Sequence, residues 1–172
     1  MQRPEQRLVL VLGGTRSGKS AWAERLAAER GAPVRYVATA PNGPAGDGSR
    51  IAAHRARRPA AWETVDAGTR LDLRTLLDEA GDEATVLIDG LGAWLAGVLH
   101  EAGLIEDDGL GDDPAHGIDG ASVIAGAEQA AGKLADAATT RSGLTIVVGE
   151  EAGLAPAAAT RGTRRWVDLL GG

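Results

Sequence analysis

Gly13-Gly14-Thr15-Arg16-Ser17-Gly18-Lys19-Ser20 fits the pattern G-x-x-x-x-G-K-[ST] without a mismatch. The chemistry of this pattern is the holding of phosphate. Glycines at this spacing let successive backbone N–H groups turn inward around an anion, and the following helix adds the partial positive charge of its N-terminus. Lys19 is placed to reach the β- and γ-phosphates of a nucleoside triphosphate, and the Ser20 hydroxyl to ligate Mg²⁺. One of only two lysines in the chain stands at the required position. The plain alternative is a glycine-rich turn between a strand and a helix, with no ligand. A magnesium partner is expected at the end of another strand, where Thr85-Val86-Leu87-Ile88 feeds directly into Asp89. The competing reading of Asp89 is a cap for the next helix.

A second constellation is Arg50, His54 and Arg57, which on a helix fall at i, i+4 and i+7 and share one face. Neighbouring guanidiniums disfavour a protonated imidazole and gather phosphate oxygens around it, which suits a neutral imidazole attacking phosphorus. On spacing alone, a solvated basic helix face explains the same residues. Phosphate binding leaves kinase, GTPase and ATPase open, although the lack of an N-K-x-D guanine-reading motif disfavours a small GTPase switch. Glu106, Asp107, Asp108, Asp112 and Asp113 crowd the stretch from Ile105 to Gly120. They lack the ligand spacing of a calcium loop, so a solvated insertion is expected there.

Apolar runs alternating with helical patterns supply the frame for these groups. Strands are predicted at Arg7–Leu12, Val34–Thr39, Thr64–Val65 (weak), Ala84–Asp89 and Leu144–Val148. Helices are predicted at Lys19–Glu29, Ser49–Arg57, Leu71–Glu79, Gly92–Ala102, Ala121–Ala138 and Ala159–Leu170, with Pro59 ending the second. Repeated βα units of this kind imply an α/β fold, a mostly parallel sheet flanked by helices. The 172 residues suit one domain, 1–172.

Composition narrows the chemistry. There is no cysteine, which excludes disulfides, thiolate metal sites and a Cys nucleophile. Three widely spaced histidines (His54, His100, His116) single out no zinc site. A net charge of −6 argues against a broad nucleic-acid-binding surface. The apolar run Leu8–Leu12 is too short for a signal peptide or a membrane span, so a cytoplasmic protein is expected.

Five segments in order, GGTRSGKS, VRYVATA, RIAAHRARRPAAWETVD, VLIDGLGAWL and VVGEEAG, resemble the adenosylcobinamide kinase / adenosylcobinamide-phosphate guanylyltransferase family of cobalamin biosynthesis. The resemblance implies a P-loop NTPase-like enzyme with two activities. One phosphorylates adenosylcobinamide with ATP or GTP. The other transfers GMP from GTP to that phosphate through a guanylylated histidine. Position in the R-I-x-x-H-x-x-x-R-P pattern makes that histidine His54. It also implies nucleotide binding by the 13–20 loop, Ala38, Thr39, Arg55, Arg57, Arg58, Asp66 and Asp89, with Mg²⁺ on Ser20 and Asp89, and a homotrimeric assembly. Asp66 stands where the family usually has Glu, and Gly149-Glu150-Glu151-Ala152-Gly153 where it has S-N-E-V-G. The chain ends at Leu170-Gly171-Gly172, where the family normally continues with a helix and a final strand, so a shortened C-terminal region is expected. A kinase-only enzyme and a nucleotide-binding subunit without turnover stay open beside the bifunctional reading.

Overall fold

The computed structural model describes residues 7–14, 16–31, 33–39, 58–105 and 120–151. In chain order these form β1 (Leu8–Gly13), α1 (Lys19–Glu29), β2 (Val34–Ala38), β3 (Glu63–Asp66), α2 (Leu73–Asp78), β4 (Thr85–Asp89), α3 (Leu91–Glu101), α4 (Gly120–Thr140) and β5 (Thr145–Glu150). The five strands make one sheet in the order β1-β5-β4-β2-β3, and every pair is parallel.

Strand composition accounts for that arrangement. A sheet covered on both faces needs strands that are apolar at every position rather than at alternate ones. The Val-Leu-Ile of β4 and the Ile-Val-Val of β5 meet the requirement, and both strands are buried up to their final acidic residues. Alternation then divides the side chains between two cores. Val86 and Ile88 of β4, with Val147 of β5, pack against Leu73, Leu76, Trp94, Leu99 and Leu134 of α2, α3 and α4. Leu87, Ile146 and Val148 point the other way, toward Val11, Tyr36 and the small residues Ala23 and Ala27 of α1. Along α4 the buried positions Ala127, Ala130, Leu134 and Ala138 recur every three or four residues, one stripe of the helix.

The strands and helices agree with the expected positions to within about two residues at most ends. The weak expectation at 64–65 is a true edge strand, with Glu63 to Asp66 in register with Arg35 to Ala38. The expected helix at 71–79 is shorter, because Asp72 caps it by accepting from the Thr75 backbone N–H at 3.4 Å. The expected helices at 49–57 and 159–170, the turn-rich stretch 41–48 and most of the acidic stretch 105–120 lie outside the described residues. Among the described residues, no helix is long and apolar enough to cross a membrane.

Candidate nucleotide site

In a parallel sheet all carboxyl ends lie on one side, and ligands of open α/β sheets bind beside that edge. Register makes the edge concrete. Gly13 pairs with Glu150, Ala38 with both Asp66 and Asp89, and Asp89 with Val148. The end of β1, from which the glycine loop departs, thus lies on the same edge as three acidic strand ends.

The loop is shaped by its backbone. The Ser17 N–H donates to the Gly14 carbonyl at 3.2 Å, Arg16 adopts φ 59° and Gly18 φ 86°. The left-handed conformation at Gly18 is one that glycine reaches without steric cost. Gly18 is also the N-cap of α1 and offers no side-chain oxygen to its first turn. The orphan N–H groups there are left for an external acceptor.

Side chains converge on this loop. The Lys19 ammonium donates to the Gly14 carbonyl at 3.4 Å and stands 3.6 Å from the Glu150 carboxylate. Ser20 Oγ donates to Asp89 Oδ1 at 3.0 Å, while the Tyr36 hydroxyl donates to Asp89 Oδ2 at 2.6 Å. Burial, and then the charge of Asp89, push the Tyr36 phenol far above the usual tyrosine range, so it remains a donor. The Arg58 guanidinium lies over the Tyr36 ring, 3.3 Å from its centroid. Among the described residues, Arg58 Nε and Glu150 Oε2 are buried polar atoms without a hydrogen-bond partner. Thr39 is buried, and its hydroxyl both donates to the Gly90 carbonyl and accepts from the Gly90 N–H, each at 2.6 Å.

The tertiary structure therefore brings Gly13, Gly14, Lys19, Ser20 and Asp89 into one cluster, with Ala38 one strand away. Thr39 sits beside them with its hydroxyl committed to backbone. Asp66 shares the edge but is exposed, separated from β5 by two strands, and accepts from the Gly68 N–H at 2.9 Å. Arg16, Ser17 and Gly18 form the exposed rim of the loop. Thr15, His54, Arg55 and Arg57 lie outside the described residues. Two members of the cluster were not singled out as site residues from sequence, Tyr36 and Glu150. The available signals were the chain's one tyrosine, set in a short strand, and an acid at the end of β5.

The donor set suits Mg²⁺. A serine hydroxyl and a carboxylate are hard oxygen ligands, and magnesium takes one or two such protein ligands and completes its shell with water and phosphate oxygens. Among the described residues no group of three or more His, Cys, Asp or Glu converges as a self-sufficient metal cage.

A family model described as cobinamide kinase / cobinamide phosphate guanyltransferase matches residues 9–172. The bifunctional adenosylcobalamin biosynthesis protein CobP of Pseudomonas aeruginosa is 52% identical over 90 residues, which are 52% of this chain and 51% of that protein. The bifunctional adenosylcobalamin biosynthesis protein CobU of Salmonella typhimurium is 41% identical over 81 residues, 46% of this chain and 44% of that protein. The chain spans about half the length of the curated relatives it matches.

Proposed function

Because the chain belongs to the cobinamide kinase / cobinamide phosphate guanyltransferase family, we propose that it phosphorylates adenosylcobinamide and then transfers GMP from GTP to the new phosphate. The observation that carries this reading is the convergence of Lys19, Ser20 and Asp89 at the mouth of the glycine loop. ATP or GTP is the phosphoryl donor.

In the first reaction the loop N–H groups and Lys19 bind the β- and γ-phosphates. Ser20 and Asp89 would hold Mg²⁺, which when bound neutralises charge on the phosphate oxygens. The substrate hydroxyl oxygen attacks the γ-phosphorus, the bond to the bridging oxygen breaks, the nucleoside diphosphate departs with that electron pair, and the hydroxyl proton is lost to solvent. In the second reaction an imidazole nitrogen of His54 attacks the α-phosphorus of GTP and pyrophosphate leaves. A phosphate oxygen of adenosylcobinamide phosphate then attacks the same phosphorus. The P–N bond breaks, His54 is regenerated and adenosylcobinamide-GDP forms. Dividing the transfer in two calls for a nucleophile whose adduct is itself reactive, which imidazole provides. His54 is assigned from the R-I-x-x-H-x-x-x-R-P pattern, whose last arginine, Arg58, lies on the Tyr36 ring beside the Asp89 cluster. Assembly as a homotrimer and a cytoplasmic location belong to the same proposal.

The test is incubation with Mg²⁺ and GTP labelled at the α-phosphorus, without corrinoid, followed by denaturation. Acid-labile label on the wild-type chain and none on His54→Ala is the expected result. If the chain binds GTP yet takes no label, guanylyl transfer is ruled out. Phosphate transfer from γ-labelled ATP or GTP to adenosylcobinamide then decides whether the kinase half stands alone.

A further inference from the structure

We propose that Tyr36 is a positioning residue that orients two groups of the phosphate site at once, the Asp89 carboxylate through its hydroxyl and the Arg58 guanidinium through its ring face. The proposal rests on the nucleotide-site reading above. It does not depend on which acceptor receives the transferred group.

The hydroxyl arm follows from the geometry of Asp89. A carboxylate turns about its terminal bond with little preference, since such torsions are broad. Here each oxygen has its own donor, Ser20 Oγ at 3.0 Å on Oδ1 and the Tyr36 hydroxyl at 2.6 Å on Oδ2. With Oδ2 tied, Oδ1 is kept on the side of Ser20, so the two candidate magnesium oxygens face the same space. The tie is rigid because Tyr36 is only 2% exposed and packs in the core that holds Leu87, Ile146 and Val148. Groups that fix a metal ligand's orientation contribute measurably to metal affinity even though they never touch the ion.

The ring arm follows from Arg58. Its guanidinium carbon lies over the ring, 3.3 Å from the centroid, an arrangement favoured by cation–π attraction. Stacking fixes the plane of a guanidinium and leaves its edge donors available to oxygens. Arg58 Nε is buried without an acceptor among the described residues, as expected of a donor aimed at a ligand. Tyr36 is the only tyrosine in a chain that has no phenylalanine. A phenylalanine would serve the core and the stack equally well, so the hydroxyl separates the two arms.

Calorimetric titration of the full chain with GTP, first in EDTA and then over a Mg²⁺ series, tests both arms without turnover. In Tyr36→Phe the EDTA affinity stays within about twofold of wild type, while the Mg²⁺ needed for half of the affinity gain rises about tenfold. In Tyr36→Leu the same Mg²⁺ shift is joined by a loss of about two- to fivefold in EDTA affinity, the size of an exposed-to-partly-buried cation–π contact. Arg58→Ala repeats the second loss alone and serves if Tyr36→Leu fails to fold. An unchanged Mg²⁺ requirement in Tyr36→Phe, an equal loss of both affinities in it, or wild-type GTP binding that ignores Mg²⁺ overturns the proposal. Absence of transfer to corrinoid with this split intact would instead overturn the proposed function and leave Tyr36 in its role.

Discussion

At the scale of single residues, the site is a contest for two charged groups. Lys19 donates to the Gly14 carbonyl and pairs with Glu150, and a triphosphate bound at the loop would compete with both for it. Glu150 is partly exposed, so this ion pair has the modest strength of near-surface pairs. Its carboxylate would nonetheless repel phosphates bound at the loop. Glu150→Gln is therefore expected to tighten GTP binding about two- to fivefold at low ionic strength. The gain shrinks as salt is added, because added ions screen the repulsion. Calorimetry at two salt concentrations checks both, and weaker binding in the variant would show that Glu150 assists the nucleotide rather than competing with it.

At the scale of elements, the amino end of the sheet is a separate structural problem from the carboxyl end, which holds the proposed site. The turn before β4 and the turn before β5 press together there. The Gly143 N–H donates to the Asp82 carbonyl at 2.6 Å, and a side chain at Gly143 would meet the Asp82 oxygen and the Glu83 carbonyl carbon at 2.9 Å, with the Ala84 oxygen also in its way. These are backbone atoms and cannot swing aside. Gly143→Ala is expected to destabilise by about 1–3 kcal/mol or more, read from the denaturant midpoint, with GTP affinity of the folded fraction unchanged. The Asp82 carboxylate accepts from the Ser142 hydroxyl at 2.9 Å and from its N–H at 3.2 Å, which holds its carboxyl below the usual aspartate range. A carboxyl depressed in the folded state stabilises above the unfolded-state value of about 3.9 and loses that contribution as pH falls through the folded value. Asp82→Ala should thus melt below wild type at neutral pH, and the gap should narrow below about pH 4. A gap that does not change with pH would assign the effect to packing instead.

At the scale of the whole molecule, the proposed nucleotide site draws on the ends of β1, β2, β4 and β5 together, so a ligand there would tie most of the sheet. Occupation at about 100 times Kd adds about 2.7 kcal/mol, which for a chain of this size raises Tm by about 5–10 °C. GTP with Mg²⁺ is expected to give that shift, EDTA to reduce it and Lys19→Ala to remove it. A shift that survives Lys19→Ala would place the bound nucleotide elsewhere. The Mg²⁺ dependence also follows from overall charge, since a chain of net charge −6 receives a polyanion most readily when a cation accompanies it.

Much of this was legible in the sequence. The glycine loop, the strand feeding Asp89 and the parallel α/β class depend on local spacing and on apolar runs, which act through near neighbours in the chain and so can be read from it. Even the edge strand at Thr64–Val65 was visible, though too short for firm bounds. Only the tertiary structure decided how far-separated residues meet. The hydrogen bonds of Asp89 to Ser20 and Tyr36 span 69 and 53 positions. They exist because β4 lies between β5 and β2 in the sheet and because side-chain alternation turns Tyr36 toward the α1 face. The same packing commits the Thr39 hydroxyl to Gly90 and sets Glu150 against Lys19. Spacing along the chain names the groups that can do the chemistry. Strand order and register determine which of them touch, because parallel pairing gathers distant strand ends on one edge.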